Sequence, residues 1–399
     1  MRVMRENEKN IEDKCIICTS TRLEGLKTTK IEAFAAGRNN CFKKEGRKIE
    51  RIICKDCGTI QFLRNEDYMH AVDGICENYE VMLDKTWLLN QEMHKPRLQA
   101  NYEAISKIIH LPKSGNMLDI GCGGGESLFQ FSCLYPDWNL YGMDKGKHFR
   151  ESVLEKKATQ FFTSLEEIKD SKIRFDFITI NSVISLADNP DQILKTAHEC
   201  LNEEGILFIS DIDFEIHPWM LYLIEWRSSY TKEHMKNVVR NFGFEALNIN
   251  FELEKKEIGV FFQKRVSRAL SRGSYERNKE IYCKKIEYLD FVIDTVLKYV
   301  EESNHIGIFG TSVAGIWVSE IITKEFPNHT DKEIFYIEED EDFLKKRVGV
   351  KGYPIYRLEE ISEPAIILLP FPQYIAENIK RRCERVYSNL KFIIFNSSN

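Results

Sequence analysis

The chain has 399 residues, long for one domain and enough for two or three. Its 43% hydrophobic and 12% aromatic content excludes a disordered polymer, because cores of ordinary size can be buried. With 56 basic and 62 acidic side chains the formal charge is −6, so the overall basic excess expected of a protein that grips nucleic acid is missing.

Met1 to Lys14 is charged and polar, and nowhere do 18 apolar residues run together. Neither a signal peptide nor a membrane span is expected, and a cytoplasmic location follows. Thiols stay reduced there, so eleven cysteines call for a reading other than disulfides.

Three segments are expected: 1–80, 81–268 and 269–399. The first is rich in Cys, Gly and charge, and too poor in periodic apolar runs to build much core. Cys15-Ile-Ile-Cys18 and Cys54-Lys-Asp-Cys57 are two CxxC knuckles separated by the 35 residues Thr19 to Ile53. Two thiolates from each knuckle make a tetrahedral sulfur site suited to Zn²⁺, closed by protein ligands and therefore structural. Gly58 after the second knuckle lets backbone amides turn toward the sulfurs. Cys41 and Cys76 lack a paired knuckle and are ordinary cysteines.

The second segment alternates helix and strand patterns. Asn101 to His110 is helical, Asn116 to Ile120 a buried strand, Glu126 to Leu134 helical, and Leu140 to Asp144 the next strand. Phe175 to Asn181 and Ile206 to Ser210 are further strands. Leu247 to Glu254 and Ile258 to Gln263 form a closing antiparallel pair. The sharpest chemical signal is Met117-Leu-Asp119-Ile-Gly121-Cys122-Gly123-Gly-Gly125-Glu126: a strand carrying an acid, a glycine turn, and the start of a helix. Glycine permits positive φ and close approach of backbone to ligand. A dinucleotide fingerprint wants its third glycine at position 126, where Glu126 would repel a pyrophosphate. S-adenosylmethionine has no phosphate and carries an ammonium and a sulfonium, and Asp119 fits as the anion facing them. Met143-Asp144 places a second acid 25 residues on, where a carboxylate can accept from both ribose hydroxyls. Asn181 and Ser182 end the next strand at the same edge.

Lys264 to Lys279, bearing Arg265, Arg268, Arg272 and Arg277, connects to the third segment. There, Lys279 to Glu302 is helical and Ile306 to Ile322 is strand, glycine turn and helix. Ile334 to Ile337, Ala365 to Leu369 and Phe392 to Phe395 are strands of a second, smaller α/β layer structure.

The middle region resembles the class I methyltransferase family in Asp119 to Gly125, Asp144, Asn181 to Pro190, Gly205-Ile-Leu-Phe-Ile and Tyr230 to Gly243-Phe244. The resemblance implies an α/β fold with a doubly wound seven-stranded sheet and S-adenosylmethionine as donor, with Asp119, Gly121, Cys122, Gly123, Met143, Asp144, Asn181 and Ser182 around it. It does not specify the acceptor. The order of the three parts is similar to the sugar C-methyltransferase family, which acts on deoxysugars attached to nucleoside diphosphates. The carrying residues are Cys15/Cys18, Cys54 to Phe62, and Asp119 to Gly125. At the C-terminus they are Ile308-Phe-Gly310-Thr-Ser-Val-Ala-Gly315, Phe335-Tyr-Ile-Glu338, Gly352-Tyr-Pro354-Ile355 and Ile366-Ile-Leu-Leu. That implies a nucleotide-linked sugar as substrate and a Rossmann-like C-terminal domain in a structural or substrate-covering role.

Two departures bear on the chemistry. The family's histidine after the fourth strand corresponds to Leu186, and the histidine of its Glu-His pair to Trp226, next to Glu225. C-methylation needs a base, so transfer to oxygen or nitrogen stays open. His217, Glu225 and Tyr230 are the remaining catalytic candidates beside structural roles, with Asp211 and Asp213 as substrate or base contacts. Two rival classes are a zinc-containing RNA methyltransferase, suggested by Lys27, Lys30, Arg38, Lys43, Lys44, Arg47, Lys48 and Arg51, and a non-catalytic scaffold.

Overall fold

The computed structural model describes residues 14–30, 50–64, 68–69, 72, 97–249, 257–265, 274–327, 331–339, 344–345, 349 and 352–395. By compactness the chain divides into two units. One comprises Met1–Leu26, Lys44–Asp213 and Glu225–Lys279, the other Lys27–Lys43, Phe214–Ile224 and Glu280–Asn399.

In chain order the first unit runs β1 (Leu23–Gly25), β2 (Arg51–Cys54), β3 (Ile60–Phe62), helix Arg97–Ile108, β4 (Asn116–Ile120), helix Glu126–Leu134, β5 (Asn139–Met143) and β6 (Gln160–Phe162). It continues with β7 (Phe175–Asn181), helix Pro190–Cys200, β8 (Leu201–Ile212), β9 (Ser228–Ser229), helix Lys232–Arg240, β10 (Phe244–Ala246) and β11 (Glu257–Lys264). Seven strands form one sheet in the order β10-β11-β8-β7-β4-β5-β6. β6, β5, β4, β7 and β8 are parallel, and β11 runs antiparallel to β8 and β10. The β4 and β7 runs are buried along most of their length because both faces are covered, as a parallel sheet requires. Proline at the first turn of Pro190–Cys200 and the Thr231 hydroxyl, which accepts from His234 N at 3.2 Å, begin the two later helices.

The closing pair differs from expectation. Its first strand lies at Phe244–Ala246, before Leu247, and residues 250–256 lie outside the described residues. β8 also starts earlier than its apolar core, at Leu201.

β1, β2, β3 and β9 form a separate four-stranded sheet. Its strands of two to four residues are too short for a free-standing sheet. Cys15, Ile17, Cys54 and Cys57 instead join the core built on Ile120, Ile178, Met235 and Phe244.

The second unit carries β12 (His305–Phe309), helix Val313–Glu325, β13 (Glu333–Ile337), β14 (Ile355–Tyr356), β15 (Ala365–Leu369), helix Gln373–Cys383 and β16 (Leu390–Ile394). Its five-stranded sheet is parallel throughout, in the order β14-β13-β12-β15-β16. The 3₁₀ turn Pro218–Tyr222 belongs to this unit, with the Trp219 ring 5.3 Å from that of Trp317. Among the described residues no helix is long and apolar enough to cross a membrane.

Candidate active site

At the carboxyl end of β4 the chain turns through Gly121, Gly123 and Gly125, with φ of 79°, 48° and 82°. A Cβ at Gly121 would stand 2.2 Å from Val183 Cγ2, so the position is closed to any side chain on both counts. Gly121 N and Cys122 N donate to Met143 O at 2.7 and 3.0 Å, which ties the loop to the end of β5. Asp144 follows that strand end. Its two carboxylate oxygens accept from Gly123 N at 2.9 Å and Gly146 N at 2.8 Å. The acid thereby fixes the shape of the glycine loop, a role the sequence did not suggest.

Asp119 is 2% exposed. Its Oδ1 accepts from Thr179 Oγ1 at 2.6 Å and Asn181 Nδ2 at 3.2 Å. Burial pushes its pKa up to about 6, against the hydrogen bonds from Thr179, Ser127 and Asn181 that favour the charged form. Tyr102 Oη lies 2.6 Å from Ser127 Oγ, extending the polar network into the preceding helix. Thr179 was legible in hindsight. It stands opposite Asp119 in the β4–β7 register, and Thr179 and Asn181 are alternate polar residues in the second half of a strand whose other residues there are isoleucines. Tyr102 left no local signal.

Cys122 is buried, and its thiol is pushed up by burial, so it lines the loop as an inert apolar group. Met143 is buried at the end of β5 and Ser182 adopts φ 56° just past β7. Glu126 pairs with Lys156 at 3.1 Å, and Lys156 Nζ also donates to Gly124 O at 3.0 Å. The acid that sequence reasoning set against a pyrophosphate is thus partly neutralised, and the distinction rests on Asp119 instead.

Beside β7 and β8 lies a second polar group. Asp211, 1% exposed, accepts from Ser185 N at 3.0 Å, and burial raises its pKa to about 6. Glu225 is 9% exposed, burial raises it to about 7, and its Oε2 has no hydrogen-bond partner among the described residues. The following residues dock on the loop after β7: Arg227 Nε donates to Leu186 O at 3.1 Å, Arg227 pairs with Asp188 at 2.8 Å, and Ser228 N donates to Ser185 O at 3.1 Å. Arg227, buried and ion-paired, was missed in the sequence.

Two catalytic candidates fall elsewhere. Tyr230 is fully buried, accepts from Ser228 Oγ at 3.0 Å, and stacks on His234 at 5.4 Å. Burial raises its pKa well above its ordinary value, and its ring packs in the core of the first unit. His217 heads the 3₁₀ turn of the second unit. Asp213 is held by its own fold, accepting from Lys232 N at 3.0 Å.

The four knuckle sulfurs of Cys15, Cys18, Cys54 and Cys57 lie within 4.8 Å of one another, with Cys15–Cys57 and Cys18–Cys54 both at 3.5 Å. Sulfurs on a tetrahedral zinc at about 2.3 Å would stand just under 4 Å apart, so the donor set fits that ion. Gly58, φ 77°, has a further reason to be glycine: a Cβ there would meet the Ser274 backbone at 2.7 Å. Cys41 and Cys76 lie outside the described residues, as do Arg38, Lys43, Lys44, Arg47 and Lys48. Of the remaining basic residues, Arg51 is buried, Lys30 pairs with Asp294 at 2.6 Å, and Lys27 lies 3.9 Å from Asp290.

Residues 91–249 match the family model of a methyltransferase domain. An uncharacterised protein of Methanocaldococcus jannaschii is 26% identical over 145 residues, 36% of this chain and 62% of that one. A ubiquinone biosynthesis O-methyltransferase of Glaesserella parasuis is 30% identical over 118 residues, 27% and 50% of the two chains, and the mitochondrial one of Candida albicans 26% over 132, 31% and 38%. The chain therefore spans less than two thirds of the length of these relatives. Among solved structures, an S-adenosylmethionine-dependent methyltransferase of Thermotoga maritima matches with 16% identity and a TM-score of 0.34, over 42% of this chain and 89% of the other. The sheet order, the glycine loop with its two acids, and the family match together make the middle of this chain a class I S-adenosylmethionine-dependent methyltransferase domain.

Proposed function

We propose that this chain transfers the methyl group of S-adenosylmethionine to a small molecule, and that a nucleotide-linked sugar is the acceptor class to test first. The observation that carries the donor reading is Asp119, a buried carboxylate beside a bare glycine loop at the carboxyl edge of a parallel sheet. The bound donor supplies an activated methyl on a sulfonium. Asp119 holds the negative charge that favours its cationic amino-acid end. Asp144 keeps the loop open, and each glycine lets the backbone approach. Most of the acceleration comes from holding the acceptor in line and keeping water out.

On the acceptor side, Glu225 supports a base better than His217 or Tyr230. It is buried, its Oε2 has no partner among the described residues, and a value near 7 matches proton removal at neutral pH. The sugar reading rests on the three-part resemblance, and Glu225 supplies the base missing at Leu186 and Trp226. Cys15, Cys18, Cys54 and Cys57 hold a structural zinc ion in this reading, one per chain.

Isothermal titration with S-adenosylhomocysteine tests the donor site, and mass spectrometry of candidate nucleotide sugars tests the acceptor by a gain of one methyl. The ordinary carboxylate range lies below Glu225's value of about 7, so activity should rise with pH to a plateau above it. Glu225→Gln should lower kcat by about 10²- to 10⁴-fold and abolish that pH step. An unchanged rate in this variant removes Glu225 from the chemistry. No titration heat with S-adenosylhomocysteine removes the enzyme reading in favour of a scaffold.

A further inference from the structure

The strand that follows Glu225 does not belong to the methyltransferase sheet. β9 is the outer strand of the cysteine-bearing sheet, pairing Ser228 with Gln61 and Ser229 with Ile60 on β3. Phe62 N donates to Arg227 O at 3.1 Å. Arg51 on β2 is 3% exposed, donates to Ser229 Oγ at 3.0 Å, and covers the Phe62 ring at 3.9 Å. Both knuckles reach this edge. Gln61 takes Ile16 N at 3.0 Å and donates to Lys14 O at 3.1 Å, beside the first knuckle. Cys57 O, in the second, lies 3.1 Å from His234 Nε2 on the helix just after the strand.

Strands this short need a cross-link, and four thiol groups packed together have none until an ion draws them in. On its other side the same segment bonds to the loop after β7 through Ser185 O, Leu186 O and Asp188. The glycine loop is built differently: its hydrogen bonds run to Met143, Asp144 and Lys156, all in the large sheet's own connections.

We propose that metal loading of the cysteine module sets the acceptor wall: β3 is the template on which Arg227–Ser229 forms, and Arg51 is a positioning residue for it, while the donor loop forms without the metal. The proposal rests on the zinc reading above. A module joined only through its own core would fold beside the enzyme. This one contributes a strand register to a segment of the site, so its loss acts on acceptor and donor unequally.

The test uses the full chain, with zinc counted by elemental analysis and then removed by a chelator under reducing conditions. Hydrogen exchange at residues 226–230 should accelerate at least about tenfold more than at residues 117–123. The dissociation constant of S-adenosylhomocysteine should stay within about threefold. Arg51→Gln should keep its zinc and its S-adenosylhomocysteine affinity and still accelerate exchange at 228–229. Ser229→Ala removes the same hydrogen bond from the other side and should not add to it. Unchanged exchange at 226–230 after metal removal overturns the proposal and leaves the zinc reading standing. Equal acceleration across both segments also overturns it, because the module would then support the whole domain. A chain that holds no zinc before treatment overturns the reading beneath.

Discussion

The chain builds the same turn twice and gives it different contents. β4 and β12 are each five residues long and each is followed by a glycine of positive φ, Gly121 at 79° and Gly310 at 82°. Each glycine N–H donates to the last carbonyl of the neighbouring parallel strand, Met143 O and Ile337 O, both at 2.7 Å. Two residues after Gly121 and one after Gly310, a loop amide donates to the acid just past that neighbour: Gly123 to Asp144 at 2.9 Å and Thr311 to Glu338 at 3.0 Å. The difference lies at the fourth strand position, which is Asp119 in the first and a fully buried Ile308 in the second. Thr311 Oγ1 also fills Glu338 Oε2 at 2.9 Å, where the first loop has glycine backbone. Topology places a turn at a sheet edge. A buried carboxylate and bare backbone make one of the two turns fit for a cationic, phosphate-free ligand.

The largest test separates the units. Cys54→Ser should lose all bound metal, read by elemental analysis, and lower the melting of the first unit while leaving that of the second in place. A single transition that moves as one would erase the distinction. Next, Asp119→Ile copies the second turn into the first and should weaken S-adenosylhomocysteine about 100-fold by titration calorimetry, since the ligand's ammonium loses its buried counter-charge. Retained affinity would break the comparison at its centre. pH probes the same group. Its folded value of about 6 lies above the ordinary 3.8, so burying the charge costs stability above pH 6, and that cost fades as pH falls. Ligand binding needs the carboxylate, so affinity should be flat above pH 7 and fall about tenfold per unit below 6. Asp119→Asn should flatten that slope. The smallest effect is expected from Glu338→Ala, about 1 kcal/mol of stability in the second unit with S-adenosylhomocysteine binding unchanged.

Much of the donor side was legible because local chemistry forces it. A strand, an acid and a glycine turn with three glycines at positive φ occupy ten consecutive residues, and β4, β7 and β15 fall at the expected bounds. The acceptor side was not legible. Glu225, Arg227 and Ser228 are ordinary residues in an irregular stretch, and Arg227 and Ser228 are held by the cysteine sheet on one side and the loop after β7 on the other. Tyr230 illustrates the cost: near the site in sequence, it turns into the core against His234.

By itself the sequence determined the alternation of elements, the glycine hinge with its two acids, and two cysteine pairs able to share one ion, because each depends on neighbours within a few residues or on a fixed spacing. Only the tertiary structure decided that the cysteine segment would share a core with the large sheet, that residues 214–224 would join the second unit, and that Glu225 would be a buried carboxylate. Those outcomes depend on contacts between residues far apart in the chain, and burial, which sets both packing and pKa, is a property of the assembled fold.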